Sequence, residues 1–319
     1  MGGFSSEINI SIKSGNVVYK HLDKKKYNAY RVHILKEKWV VLDDDNNEFL
    51  IDKNDFSFTK NKKKTVFDCV FNAIHGNPGE NGAILAYLEL IGLQHTSASF
   101  YQMALTFNKR DTLSVVREYG IKTATSYYLN KGNTINVDEI VKKVGLPCFV
   151  KPNNAGSSYG ISKVYTKAEI PGAIEKAYIE DSEILIESFL EGTEVSVGVT
   201  QFKNNVKVLP ITEIVSENDF FDYEAKYEGK SQEITPARIS KDEKLKVENV
   251  AKRIYQILNL SGFSRAEFIL VKKEPYFLEI NTVPGLTEES ILPQQAKEAD
   301  ITLSDLFSSV IEAALKNAK

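Results

Sequence analysis

Residues 262–285 read GFSRAEFILVKKEPYFLEINTVPG, two strand-like runs joined by a turn: SRAEFILV, then KKEP, then YFLEINT. Side chains two apart on a strand share a face, so Arg265 and Glu267 project together from the first run, and Glu279 and Asn281 from the second. Pairing Val271 opposite Phe277 puts Glu267 across from Asn281 and diagonal to Glu279. One end of a single sheet face then carries a guanidinium, two carboxylates and a carboxamide. The far end of that face carries Ile269, Val271 and Phe277, while Ala266, Phe268, Leu270 and Ile280 cover the reverse. Carboxylate and amide oxygens are the hard donors that Mg²⁺ takes while keeping room for phosphates. A neighbouring arginine suits charge that develops on phosphoryl or tetrahedral oxygens. A hairpin with one solvated face gives the same alternation, so the rest of the chain has to discriminate.

With 319 residues and 42% hydrophobic content, the chain can bury more than one core, and two or three domains are expected. A net charge of −3 gives no electrostatic case for nucleic acid or an anionic membrane. The lysine runs Lys24–Lys26 and Lys62–Lys64 lie in polar, turn-like surroundings and read as solvated loops. Cys69 and Cys148 sit within apolar strand-like runs, which favours buried free thiols in a reducing compartment over a disulfide framework. No apolar run approaches a membrane span and none reads as a signal-peptide core. The expectation is a cytoplasmic enzyme.

The chain opens with MGGFSSEINIS, a glycine pair followed by small polar residues and Glu7. Such loops belong at strand ends of α/β folds, where ligands bind. A helical SGNVVYKHL follows, then strand signals in YRVHILK, KWVVLD and FDCVFNAI. The glycine-rich HGNPGENG comes after the last of these, placing His75 at another strand end, where it is either a structural histidine or a partner for a substrate carboxylate. ENGAILAYLELIG has helical apolar spacing and ends at Gly92, a candidate residue just past a helix end. Alternating strand, loop and helix predict a doubly wound first domain ending near Ser99.

Beyond it, SFYQMALTFNKRDTLSVVREYGIKTATSYYL reads as helical and then extended. In LPCFVKPNNAGSSYGIS a strand delivers Lys151 and a small-residue loop follows. Gly156, Ser157, Ser158 and Gly160 let a backbone approach phosphates closely, with N–H groups and hydroxyls as donors. No GxxxxGK[ST] occurs in the chain, so this is not a Walker loop. EILIESFLEGTEVSVGV puts Glu187 at the end of one strand and Glu194 at the start of the next, as acceptors for a ribose or an adenine amine, or as solvated edge charges. VKVLPITEIV reads as one strand. The long polar and aromatic NDFFDYEAKYEGKSQEITPARI reads as a functional loop, and DEKLKVENVAKRIYQILNL as an amphipathic helix entering the hairpin.

GGFSSE, HGNPGENG, FVKPNNAGSSYGIS, ESFLEGTEVSV, DYEAKY, GFSRAEF and LEINTVPGLTEESILP, in that order, resemble the D-alanine–D-alanine ligases of the ATP-grasp superfamily over nearly the whole chain. The resemblance implies an α/β fold of three domains: a doubly wound N-terminal domain at 1–99, a central ATP-grasp domain at 100–190 and a C-terminal ATP-grasp domain at 191–319. ATP would lie between the last two. The implied reaction joins two D-alanines at the expense of ATP for peptidoglycan synthesis. Glu267, Glu279 and Asn281 match the ligands of Mg²⁺, two ions with Mn²⁺ as a substitute. Lys109, Lys151 and Lys226 match lysines on the ATP phosphates, and Ser158 belongs to the same ATP-binding set. Glu187, Ser188, Phe189, Leu190 and Glu194 match the adenosine-binding hinge. Arg265 matches the arginine that stabilises the transferring phosphate and the tetrahedral intermediate. Glu7 matches the carboxylate for the first D-alanine's ammonium and one end of a set with Ser157 and Tyr227. His75 is a further substrate contact, and Ser290 with the Gly285 backbone matches the group that takes the second substrate's carboxylate. Relatives of this kind are usually homodimers.

Two features depart from the family pattern. The family carries an apolar strand before the glycine pair, which is absent ahead of Met1, and Glu267 stands where many relatives have aspartate. Rival readings are a D-alanine–D-lactate ligase, another ATP-grasp carboxylate–amine ligase, and a nucleotide-binding protein without catalysis. Tyr227 favours the dipeptide product over the first, and the intact Arg265, Glu267, Glu279 and Asn281 set speaks against the last.

Overall fold

The structure, a computed structural model, describes residues 1–156, 159–216 and 231–316. Helix α1 (Ile8–His21) is followed by an antiparallel meander of β1 (Arg31–Ile34), β2 (Trp39–Leu42), β3 (Glu48–Asp52), β4 (Ser57–Lys60) and β5 (Lys63–Thr65). The last three strands arise from a charged stretch whose apolar residues are few. They hold because Phe49 and Phe58 pack into a ring cluster with Tyr30, Phe56 and Phe67. β6 (Cys69–Val70) pairs in parallel with β7 (Gln94–His95), and α2 (Ala83–Leu90) lies between them in sequence. This is the strand–loop–helix alternation expected there. α2 stops at Gly92, which takes φ +72° while its N–H donates to Glu89 and that of Leu93 to Leu88. Both are end carbonyls that would otherwise lack partners.

α3 (Phe100–Phe107) runs into α4 (Lys109–Glu118) and β8 (Ser126–Asn130). The Asn108 side chain caps α4 by accepting from the Asp111 N–H at 3.0 Å, which fixes Lys109 in the first helical turn. α5 (Val137–Val144), β9 (Cys148–Pro152), β10 (Ser162–Val164), α6 (Ile170–Glu180) and β11 (Glu183–Ser188) complete an antiparallel sheet ordered β10-β9-β11-β8. Ile140, Val144, Ile170 and Ile174 of the two helices join Val150, Ile184 and Ile186 in one buried cluster. Each such side chain contributes about 1.5–3 kcal/mol by leaving water.

The largest sheet contains β12 (Thr193–Phe202), β13 (Asn205–Val208), β14 (Thr212–Ser216), β15 (Ser231–Ile234), β16 (Phe263–Val271) and β17 (Glu274–Asn281), ordered β15-β14-β12-β16-β17, with β13 pairing the end of β12 on the same edge as β14. VKVLPITEIV is therefore two strands, broken around Pro210, and part of the expected loop is strand β15. α7 (Lys241–Ile257) begins with a capping box between Ser240 and Glu243. It buries Val247, Ala251, Ile254 and Tyr255 against Ala266, Phe268, Phe277 and Ile280. α8 (Ile291–Glu298) and α9 (Leu303–Lys316) close the chain. No helix among the described residues is long and apolar enough to cross a membrane.

The hairpin differs from the expected register. Lys272 and Lys273 both take positive φ (49° and 68°), a two-residue turn of the hand that suits strand twist, so Val271 faces Glu274. The expected Val271–Phe277 pairing is thus replaced. The ladder shifts at Leu278: Phe268 faces Phe277 on one side of it, and Glu267 faces Glu279 on the other. This bulge lets Phe277 turn into the core, with its ring 5.8 Å from that of Phe268, although Glu279 two residues on faces the opposite way. Asn281 lies opposite Arg265 rather than Glu267.

Candidate active site

The corrected register brings Glu267 and Glu279 face to face at one end of the sheet, closer in register than the diagonal expected from the sequence. Arg265 donates to Ser196 Oγ at 3.0 Å and pairs with Glu267. Burial disfavours the guanidinium charge, but Glu267, Glu279 and Glu233 outweigh it and its pKa is raised, so it is a permanent cation. Lys109 Nζ lies 3.2 Å from Glu279 and donates to Ala155 O at 2.7 Å. Lys151, pointing from β9, pairs with buried Glu187 on β11. Burial opposes its charge as well, and Glu187, with Glu279 and Glu267, outweighs the burial and raises its pKa. These side chains, from three segments distant in sequence, converge on one charged cleft.

Glu7 immediately precedes α1 and is flanked by two glycines. A Cβ at Gly76 (φ +65°) would come within 3.0 Å of Glu7 Oε2, and one at Gly156 within 3.0 Å of Oε1. The strand-end loops after β6 and β9 therefore close onto the same carboxylate, and a side chain at either glycine would press on it. His75 is buried: its backbone N–H donates to Ser11 Oγ at 3.0 Å, and its Nε2 lies 3.2 Å from Ser14 Oγ. Burial lowers its pKa to about 4, with the Val283 backbone opposing and the Arg265 charge adding, so the imidazole is neutral at pH 7. Ser14 Oγ also accepts from the Leu286 N–H at 3.2 Å, which ties this histidine to the segment holding Gly285. Gly285 packs against Ser290, since a Cβ there would meet Ser290 Oγ at 2.7 Å. Ser290 caps the start of α8 in position, with its hydroxyl 2.7 Å from Thr287 Oγ1. A helix N-terminus beside a hydroxyl is suited to a carboxylate.

The hinge between β11 and β12 holds the other end of the cleft. Ser188 Oγ accepts from the Thr125 N–H at 3.0 Å, and the Lys163 ammonium lies 4.3 Å from the Phe189 ring centroid. Leu190 follows on the hinge, and Glu194 stands on β12 opposite Ile269. Ser157, Ser158, Lys226 and Tyr227 lie outside the described residues, as does most of the long loop that carries the last two.

Two acids of this region were not singled out from the sequence. Glu80 is buried, accepts from the Gly76 N–H at 3.0 Å and shares a cavity of about 20 Å³ with Lys109, Gly156, Glu279 and Asn281. Burial, then the Glu7 charge, pushes its carboxyl up to about 7. Its signal was present in HGNPGENG, where an acid four residues after Gly76 can reach back to that N–H. Glu233 on β15 is raised by burial, with Arg265 opposing. It sits in a stretch without periodicity, so no pattern pointed to it.

Among the described residues no group of three or more histidine, cysteine, aspartate and glutamate side chains could hold a metal ion by itself. Glu267, Glu279 and Asn281 differ from such a group in offering two carboxylates and a carboxamide. The facing carboxylates and the amide two residues along the same strand supply only hard oxygens, which fits Mg²⁺ and the phosphates it would share.

The fold and this cleft define an α/β ATP-grasp enzyme. The VanG D-Ala:D-Ser ligase from Enterococcus faecalis superposes with a TM-score of 0.84 at 28% identity, over 98% of this chain and 97% of that one. The D-alanine–D-alanine ligase from Bacillus anthracis complexed with ATP gives 0.80 at 28% identity, over 100% and 96%. Residues 1–98 match the family described as D-ala D-ala ligase N-terminus and residues 115–312 the D-ala D-ala ligase C-terminus. A D-alanine–D-alanine ligase from Flavobacterium johnsoniae is 68% identical over 315 residues, 99% of this chain and 98% of the relative. The chain belongs to the D-alanine–D-alanine ligase family.

Proposed function

We propose that this protein joins two D-alanines into D-alanyl-D-alanine at the expense of ATP, for peptidoglycan synthesis in the cytoplasm. The observation that carries the reading is the facing of Glu267 and Glu279, with Arg265 on the first and Lys109, from another segment, on the second. The chain divides, in this reading, into an N-terminal domain at 1–99, a central domain at 100–190 and a C-terminal domain at 191–319, and acts as a homodimer.

Glu7 receives the ammonium of the first D-alanine, and neutral His75 accompanies its carboxylate without adding charge. Glu187, Ser188, Phe189, Leu190 and Glu194 hold the adenosine end of ATP, and Lys109 with Lys151 the phosphates; Lys226 and Ser158 join them from outside the described residues. Glu267, Glu279 and Asn281 would hold Mg²⁺, two ions that Mn²⁺ can replace, which when bound neutralises phosphoryl oxygens. A carboxylate is a poor acyl donor. Its oxygen therefore first bonds to the γ-phosphorus as the bridging bond to ADP breaks, leaving an acyl phosphate. The free amine of the second D-alanine, its carboxylate held by Ser290 and the Gly285 backbone, attacks the acyl carbon and phosphate leaves. Arg265 is placed to stabilise the oxyanion of that step, a contact worth on the order of 3–4 kcal/mol. Ser157 and Tyr227 complete the set that begins at Glu7, and the segment between β14 and β15 serves as the lid that keeps water from the acyl phosphate.

The test is formation of ADP and dipeptide from ATP, Mg²⁺ and D-alanine, with D-lactate, D-serine and L-alanine as competing second substrates. Dipeptide from D-alanine alone supports the reading. Preferred incorporation of D-lactate or D-serine, or no ADP release with any of the four, refutes it.

A further inference from the structure

Arg117 lies near the C-terminal end of α4, outside the cleft, and none of the roles above uses it. Its guanidinium makes four hydrogen bonds: Nε to Thr123 Oγ1 at 2.7 Å, Nη1 to Tyr128 OH at 3.2 Å, and Nη2 to Ala124 O at 2.8 Å and Ser126 Oγ at 2.6 Å. Ser126 stands opposite Glu187 in the β8–β11 ladder, and its hydroxyl lies 3.1 Å from Glu187 Oε1. Both residues are buried, at 8% and 3% exposure, so water does not substitute for a lost contact.

The direction of the serine proton follows from counting. A hydroxyl has one proton and two lone pairs. Its two available acceptors are Glu187 Oε1 at 3.1 Å and Ala124 O at 3.4 Å. The Ala124 carbonyl also has two lone pairs, and Arg117 and Thr123 Oγ1 already donate to both, while Arg117 also donates to the serine oxygen. The serine proton is thereby left for Glu187. Oε2 of the same carboxylate is taken by Lys151. Both oxygens are then fixed in place, each with a lone pair remaining, and the carboxylate stays an acceptor.

We propose that Arg117 is a positioning residue which, through Ser126, orients Glu187 to accept from the exocyclic amine of adenine and so sets the choice of nucleotide base. This rests on the reading of Glu187 as an adenosine contact. An amine at that place donates to the carboxylate, whereas the carbonyl of a hypoxanthine base meets it with a lone pair and is rejected. Lysine cannot replace the guanidinium, because a single ammonium does not span acceptors on both sides of the serine.

The experiment compares ATP and ITP for the wild type, R117M, R117K, S126A and E187Q. Calorimetry of nucleotide binding without D-alanine is run beside steady-state kinetics. The expected result is that R117M and S126A each narrow the ATP-over-ITP preference about tenfold, the scale of one buried charge-assisted hydrogen bond. The KM for D-alanine and the kcat at saturating ATP stay unchanged, R117K behaves like R117M, and the R117M/S126A pair is no worse than either single change. If E187Q alone collapses the preference while R117M and S126A leave it intact, the proposal is overturned and the adenosine contact stands. If E187Q leaves it intact, both fall. A uniform loss for both nucleotides with a lowered Tm in R117M and S126A reduces Arg117 to a structural brace and also overturns the proposal. Because binding is read without ligation, failure to form dipeptide does not obscure any of these outcomes.

Discussion

His75 offers a sharp test of how burial controls charge in this cleft. A histidine has a pKa near 6.5 in an unfolded chain, and here desolvation lowers it to about 4. The folded state thus resists the proton that the unfolded state accepts. Stability contributed by the neutral ring is fully present above the unfolded value and is lost as pH falls from about 6.5 towards 4. Working the two values through linkage, protonation of the unfolded chain weakens folding by under 1 kcal/mol at about pH 6 and by about 2.5 kcal/mol at about pH 4.5. H75Q keeps a hydrogen-bonding group against Ser14 and removes the titration. The assay is urea unfolding of wild type and H75Q at about pH 7.5, 6 and 4.5, taking the difference at each pH so that more distant groups cancel. The variant is expected to be less stable at the highest pH, from the lost packing, and to recover about 2.5 kcal/mol relative to wild type by the lowest. A difference that stays constant across the three conditions refutes the argument, because the ring would then titrate alike in both states.

G285A places a methyl 2.7 Å from Ser290 Oγ, which must move; the KM for the second D-alanine should rise about tenfold with that for ATP unchanged, and equal effects on both would contradict the placement. K109M removes the cation beside Glu279 and should lower kcat/KM for ATP about 10²–10³-fold, whereas a loss confined to D-alanine would assign the lysine elsewhere. Cys69 and Cys148 have thiols pushed up to about 12 and about 11 by burial, so a disulfide reagent at about pH 8 should label neither until the protein is unfolded in urea; fast labelling of the native protein would show that one of them is exposed to solvent.

What could be read from the sequence divides along physical lines. α7 was visible because its apolar residues recur at helical spacing; the Ser240–Glu243 cap at its start came only with the structure. The acid and arginine set of the hairpin was visible because residues two apart share a face. The register was not. KKEP suggested a four-residue turn around the proline, but Lys272 and Lys273 adopt positive φ without glycine or asparagine, and Pro275 is accommodated within edge strand β17. A bulge leaves no mark in a period-two pattern either, so Phe277 was placed on the wrong face. Glu80 went unread for another reason: its spacing from Gly76 was there to be seen, but the burial that raises its carboxyl is not written in residue identity. β3 to β5 escaped notice because charged residues on their open side dilute the apolar alternation that one face requires.

The shift at Leu278 also bears on how this gene can change length. Upstream of it the side chains of β17 keep one phase with β16, and downstream they keep the other. Removing Ile280 would put Glu279 and Asn281 on opposite faces and split the oxygen set, whereas removing Leu278 would leave Phe277 and Glu279 on the faces they already occupy. At the Lys272–Lys273 tip the two arms are already joined by exposed residues, and added residues alter neither phase. Aligned sequences of relatives should therefore differ in length at the tip and keep a constant count from Glu279 to Asn281.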